Sequence, residues 1–494
     1  VTLKKGNMIC KTRYILILIL AGIFASASAQ NSQVLYFMNL PQNHLLNPAL
    51  RPSNSFYIGL PSINMNINNN LVNFSDIFIN SSTSDSVSTF LNPKYNITDF
   101  LDKVQDKNSI EPEFTLQLFG LGFSVGKKSY VFLDVNDRLS GNIVIPGDIF
   151  KLGLTGNAGF QGNKIDLSSF RADIKYYREV GLGFSKNFTN KLRIGVKGKL
   201  LFGIATASID NKSFGITIDD NYTHSLNADL VANISAPIIV TKDASKNISK
   251  VAFDDSRFDT KSGIIDFVTG KKNMGLGLDI GATYDVTPKL VVSAAITDLG
   301  YIKWKKDVTN LEAKSNYVFD GLNMINVLNG TKTFDEVVKA ELDTLKDSFK
   351  ITDSKNAFTT YLPVGVSLGV NYKLIKSFSL GLLSYSRFIG KQLKEAVTLS
   401  GNLNLGNAFS TTVTYTIANQ RFDNLGAGLA FRPGIFQFYL LADRIPVMWN
   451  NIKVENSTFP VPTSFNTINL RIGMNLAFGN KVKKKADKPM LKVQ

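Results

Sequence analysis

Apolar and polar residues alternate one for one along much of this chain, most clearly in residues 274–304, MGLGLDIGATYDVTPKLVVSAAITDLGYIKW. Met274, Leu276, Leu278, Ile280, Ala282 and Tyr284 share one parity; Gly275, Gly277, Asp279, Gly281 and Thr283 share the other. A period of two marks a β-strand with one apolar face and one small or polar face. Asp285-Val286-Thr287-Pro288 predicts a tight turn, and Leu290, Val292, Ala294 and Ile296 begin a return strand. Similar alternation recurs, for example over 179–188, 192–202, 361–371 and 468–478. The connections fall into two kinds. Those near Gly126, Asn187, Asp285, Ile375, Gly406 and Pro433 are short; those after Ile67, Leu139, Ser208, Trp304 and Met448 are long. Short turns alternating with long loops are the periplasmic and extracellular ends of an outer-membrane barrel.

The expected fold is therefore all-β, a transmembrane antiparallel β-barrel of about 14 strands. Twelve strands are firm, and residues 208–273 either add two wall strands or form an extended hairpin outside it. Both termini fall on the periplasmic side, so the number is even. A parity shift between Leu118 and Phe119 predicts a β-bulge. Helices are expected only in loops: a short one carrying Ile97, Phe100, Leu101 and Val104, one turn opened by Pro146, and an amphipathic helix over 333–350. Trp304 is expected at the outer rim, where aromatic girdles sit. Residues 30–54 hold Pro41, Pro48 and Pro52 and have no clean period, yet they are apolar at Leu35, Tyr36, Phe37, Met38, Leu45 and Leu46. Such a segment reads as an N-terminal plug or strap rather than wall.

Composition narrows this picture. Only 19% of the 494 residues are charged, and Gly (37), Phe (35) and Tyr (16) are frequent. Beyond the N-terminal leader, no stretch approaches the roughly 20 apolar residues of a membrane helix. Lys4, Lys5, Lys11 and Arg13 precede an apolar run and Ala27-Ser28-Ala29, the pattern of an export signal over 1–29. The barrel is expected over 55–480 and a basic periplasmic tail over 481–494. Signal and tail carry +4 and +5 of the formal net charge of +16, which leaves +7 for residues 30–480 and argues against nucleic acid as a partner. The single cysteine, Cys10, lies in the signal, so the exported protein has no thiol chemistry.

Four stretches carry a family likeness: ITDLGYIKW (296–304), the preceding GLDIGATY, RIGVKGKLLFGIA (193–205) and LLNPALRP (45–52). Through them the chain resembles an uncharacterised family of outer-membrane barrels from Bacteroidota. In layout that family is similar to FadL-like barrels, including the PorV group associated with type IX secretion. The resemblance implies a barrel of about 14 strands with an N-terminal segment in the lumen, where Asn47 and Pro48 would sit. It implies no settled activity.

If apolar parity faces lipid, Lys191, Arg193, Lys197, Lys199, Arg387 and Arg471 point into the lumen against Asp279. A charge facing lipid at mid-membrane would cost about 2–4 kcal/mol, which favours that placement. A basic lumen would attract anionic solutes or fatty-acid carboxylates, although the same charges could simply pair with plug and loops. No catalytic constellation or cofactor motif is present, and histidine occurs only at His44 and His224. Asp254, Asp255 and Asp259 have spacing open to Ca²⁺ but read as a solvated acidic loop, so no metal is expected. The leading expectation is an outer-membrane barrel, embedded in outer-membrane lipid, that passes or binds small hydrophobic, amphiphilic or anionic solutes. The alternative is a PorV-like accessory that holds a secretion or surface-protein partner. A membrane hydrolase using His224 ranks last.

Overall fold

The computed structural model describes residues 33–480, apart from 71–72, 74–77, 81–86, 90, 93–95, 243–247, 270–272, 323, 391, 419–420, 447–448, 455–456 and 463–466. The signal and tail expected at 1–29 and 481–494 lie outside the described residues. Fourteen antiparallel strands close into a barrel. In wall order they are Asn54–Gly59 continued by Ser62–Asn69, then Lys107–Val125, Ser129–Pro146, Arg171–Asn187, Leu192–Ile218, Met274–Asp285 and Leu290–Trp304. Val364–Lys373 is eighth, followed by Phe378–Ile389, Gln392–Leu405, Phe409–Ala418, Arg421–Phe431, Phe436–Ile445 and Thr467–Asn480. The last strand closes on the first, with Phe56 opposite Phe478 and Ile63 opposite Ile472. One residue of register is lost between these pairings, at Leu60-Pro61, where proline cannot donate to the ladder.

The total bears out the expected barrel of about 14 strands, two more than the twelve firm ones. Residues 208–273 do not supply those two, because their described strands from His224 onward build outside the wall. Leu192–Ile218 runs on past the barrel, and its far half pairs with His224–Ser235. That strand pairs with Val308–Phe319, which in turn holds Lys350–Ser354. The amphipathic helix forms at Phe334–Ser348, with Thr333 and Glu336 in a capping box. It rests on this outer sheet through Ser315–Ser348 and Tyr317–Glu341 hydrogen bonds. Two shorter helices form at Ile97–Leu101 and, longer than one turn, at Gly147–Thr155.

Parity holds through most of the wall. Leu182, Leu276, Leu368 and Leu399 point outward and are more than half exposed, while Gly181, Gly277, Ser367 and Thr398 face in. An apolar skin over hydrogen-bonded strands is what a hydrocarbon environment requires. No helix among the described residues is long and apolar enough to cross a membrane. Six short turns share one end with the Asn54–Asn480 pairing. The opposite end carries the long excursions, but only two residues join Phe378–Ile389 to Gln392–Leu405, and two join Phe409–Ala418 to Arg421–Phe431.

Bulges break the parity at defined points. The register of Lys107–Val125 shifts between Gln117 and Phe119, where the sequence predicts it. A second bulge lies between Leu278 and Ile280 and is centred on Asp298, whose φ of 60° leaves the β region. It turns Ile302 and Trp304 inward. Trp304 is fully buried against Tyr177, Leu201 and Leu362, and its indole N–H donates to Thr360 Oγ1 at 2.9 Å. The expectation of a lipid-facing girdle residue fails here because the extra residue reverses every face after it.

Candidate functional site

The segment 33–53 lies inside the barrel, near the short-turn end. It starts as a short helix, Gln33–Phe37, followed by a 3-10 turn, Pro41–Leu45; Val34, Leu35, Tyr36, Phe37, Met38 and Leu40 are buried, and Leu45, Leu46 and Leu50 are half-buried. Its contacts reach round the wall. The Val34 amide donates to Asp443 Oδ1 at 2.6 Å, Tyr36 meets Ser293, Gln42 Nε2 donates to Asn475 Oδ1 at 2.6 Å, and Arg51 donates to Ser124 Oγ and the Ser129 carbonyl. The Asn47-Pro48-Ala49 triplet docks against two inward-facing glycines. A Cβ on Gly281 would lie 2.1 Å from Asn47 Oδ1, and one on Gly195 would lie 2.2 Å from the Pro48 carbonyl carbon. Asn47 Oδ1 also accepts the Ala49 amide at 2.9 Å, which holds the triplet in a turn. The small-residue face of the 274–285 strand is thus the socket for this segment.

A layer of buried charge begins where the segment ends. His44 is the contact point. Its Nδ1 faces the Pro41 carbonyl at 2.5 Å and its Nε2 faces Asp134 Oδ2 at 2.7 Å. Asp134 also meets Lys197 at 3.3 Å, and Lys197 donates to Glu179 at 2.8 Å. Lys199 lies 2.7 Å from Asp279 and 2.6 Å from Asp298. Arg138 bonds Asp298 through both terminal nitrogens, at 2.8 and 3.2 Å, and Glu179 at 3.0 Å. The Asp298 bulge therefore has a chemical reason: its amide donates to Asp279 Oδ1 at 2.7 Å, and its carboxylate reaches two cations that a regular strand would deny it. Charges so withdrawn from water survive only when paired and hydrogen-bonded.

Two spaces flank the plugging segment. One, a cavity of about 70 Å³, lies on the loop side, with Leu45 and Leu46 beneath it and Arg138, Lys199, Asp298 and Arg471 around it. The other, of about 460 Å³, lies on the short-turn side, between Tyr36, Phe37 and Arg51 and the wall at Thr283, Val291 and Asn371.

Among the residues singled out by parity, Lys197, Lys199, Asp279, Arg387 and Arg471 are buried in the lumen. Arg193 lies lower, donating to Asn187 Oδ1 at 2.7 Å and reaching the Ala49 carbonyl. Lys191 is a correction: it precedes the strand Leu192–Ile218, in an exposed turn outside the lumen. The expectation of a basic lumen is corrected as well, because Asp134, Glu179, Asp279, Asp298 and Glu113 pair with the lysines and arginines. Parity alone would have found Asp134, Arg138 and Glu179, since each shares a face with inward neighbours. Asp298 carried a different signal, an acid on a lipid-facing parity, which only a bulge resolves. His224 stands far from this layer, on the outer sheet, with Nε2 2.8 Å from the Asn157 side-chain amide. No group of three or more potential metal ligands occurs among the described residues.

Comparison with known proteins adds a family. No functionally curated protein matches the sequence. Among solved structures, the Ralstonia pickettii toluene transporter TbuX is 10% identical, with a TM-score of 0.39 over 92% of this chain and 100% of that one. A Pseudomonas aeruginosa FadL homologue is 8% identical, with a TM-score of 0.42 over 91% and 99%. Residues 48–443 match the model of a family of unknown function, DUF5723, and the chain belongs to that family.

Proposed function

We propose that this protein resides in the outer membrane and passes a small amphiphilic solute through its lumen, with segment 33–53 as the gate. The observation that carries this reading is the position of that segment between two open spaces. A segment that merely filled the interior would leave neither. The loop-side space offers both kinds of contact an amphiphile needs, Leu45, Leu46 and Leu139 beside Arg138, Lys199 and Arg471. The gate touches the wall through side-chain hydrogen bonds, the His44–Asp134 contact, small-residue seats and apolar packing on Leu383, Ala430, Tyr439 and Leu441. None of these belongs to the barrel ladder, so displacement of the segment leaves the ladder intact. The lumen groups are occupied in binding one another, and the reading assigns them no catalysis.

The test is conductance and solute uptake by the protein in planar bilayers and proteoliposomes, with and without residues 33–53. Removing the segment is expected to raise both by at least about tenfold. Equal, negligible uptake of lipids, aromatics and small anions with and without the segment would overturn the reading.

One observation favours a second reading, an accessory that holds a protein partner. The outer sheet and the short helix Ile325–Leu328 that follows it leave apolar residues exposed beyond the barrel, including Val318 at 62%, Ile325 at 60% and Leu328 at 81%. Cross-linking in intact cells that recovers only single chains would set it aside.

A further inference from the structure

Glu111 and Glu113 stand on the second wall strand, Lys107–Val125; Arg387 and Lys394 stand on the ninth and tenth, Phe378–Ile389 and Gln392–Leu405. Six wall strands separate the second from the ninth in either direction round the barrel. These residues therefore face one another across the full width of the lumen. Glu113 pairs with Arg387, and Glu111 pairs with Lys394. All four side chains are at least 88% buried.

The wall does not need these pairs. Its strands are joined all the way round by backbone hydrogen bonds, so a bond across the middle adds nothing to closure. What the pairs do is obstruct. Glu113 borders the loop-side space, and Glu111 is two residues closer to the loops. The His44–Asp134 contact lies at the level of Gly120, seven residues down the same strand, roughly 20 Å away along it. A solute in the space between thus has the N-terminal segment below it and a bar of paired charge above it.

We infer that these two cross-lumen ion pairs form an outer gate, selective for small solutes that carry both a positive and a negative charge. The inference rests on the passage reading and names its solute class. Opening the bar exposes a carboxylate on one wall and a guanidinium or ammonium on the other. A zwitterion supplies each with a new partner, and the space beneath offers charges of both signs. A neutral or purely apolar solute would leave both groups desolvated and unpaired, at a cost that excludes it.

The experiment compares uptake of glycine betaine, mannitol and toluene into proteoliposomes holding the full chain. Betaine is expected to enter about ten times faster than mannitol, the ratio set by one charge-assisted hydrogen bond. Glu111→Gln with Glu113→Gln removes the bar and is expected to bring mannitol to within about twofold of betaine. The exchanged pair Glu113→Arg with Arg387→Glu restores the preference, which a variant that merely misfolded would not do. Unchanged preferences in both variants overturn the gate while leaving passage intact. Toluene entry without betaine entry overturns the solute class. No entry of any solute, even after removal of residues 33–53, overturns the passage reading and this inference together.

Discussion

Two arcs of one wall treat the lumen differently. From Ser129 to Trp304 the inward face carries Asp134, Arg138, Glu179, Lys197, Lys199, Asp279 and Asp298. From Ala396 to Phe431, past Lys394, it carries chiefly Thr398, Ser400, Asn402, Thr412, Thr414, Thr416 and Asn424. Both arcs are polar inside and apolar outside, as a barrel wall demands. Only the first depends on compensation among its own members. Each of its charges touches at least one of opposite sign, so removal of one strands another. Among the described residues, the second arc holds only neutral contacts, such as Thr398 with Thr416 at 2.9 Å and Asn402 with Ser400 at 3.1 Å, and the Thr412 and Thr414 hydroxyls have no protein partner.

The contrast can be broken most directly at Lys199, which faces Asp279, Asp298 and Glu179 together. Lys199→Met is expected to cost about 3–5 kcal/mol, because buried carboxylates lose their cation. Urea unfolding in lipid or detergent measures it, and a loss below about 1 kcal/mol would mean that the layer is wetter than its burial suggests. Next in size comes the socket. Gly281→Leu is expected to eject residues 33–53 at about 1–3 kcal/mol of overpacking while the wall stays closed. Protease cleavage within the segment, with an intact heat-modifiable barrel, would report this; continued protection would place the triplet elsewhere. Trp304→Phe gives up one hydrogen bond within a packed cluster and should cost about 1 kcal/mol. A cost indistinguishable from zero would return Trp304 to the lipid face. The smallest effect belongs to the neutral arc: Thr416→Val is expected to change stability by less than about 1 kcal/mol. If it matched Lys199→Met, the two arcs would not differ in kind.

Much of this was readable beforehand. Parity placed Leu276 and Leu399 outward and Lys197 and Asp279 inward, because a strand has only two faces and lipid tolerates only one composition. The Leu118 bulge was visible because apolar residues stand side by side there. Asp298 was not resolved, since its partners Arg138 and Lys199 come from other strands and nothing local announces them. The basic lumen was misjudged for the same reason: charges were weighed along single strands, and their neutralising partners lie on others.

By itself, then, the sequence determined the class of fold, the sidedness of its strands, the helix at 334–348 and the polarity of the lumen, though not its balance of charge. These follow from local periodicity and from capping, which act over a few residues. Tertiary structure decided the strand number, the outward turn of 208–235, the docking of Asn47 and Pro48 on Gly281 and Gly195, and the pairing of Glu111 and Glu113 with Lys394 and Arg387. Those depend on closure of the barrel. Only closure brings residues nearly 300 positions apart face to face, and only then can charges that look like an invitation to an anion satisfy one another.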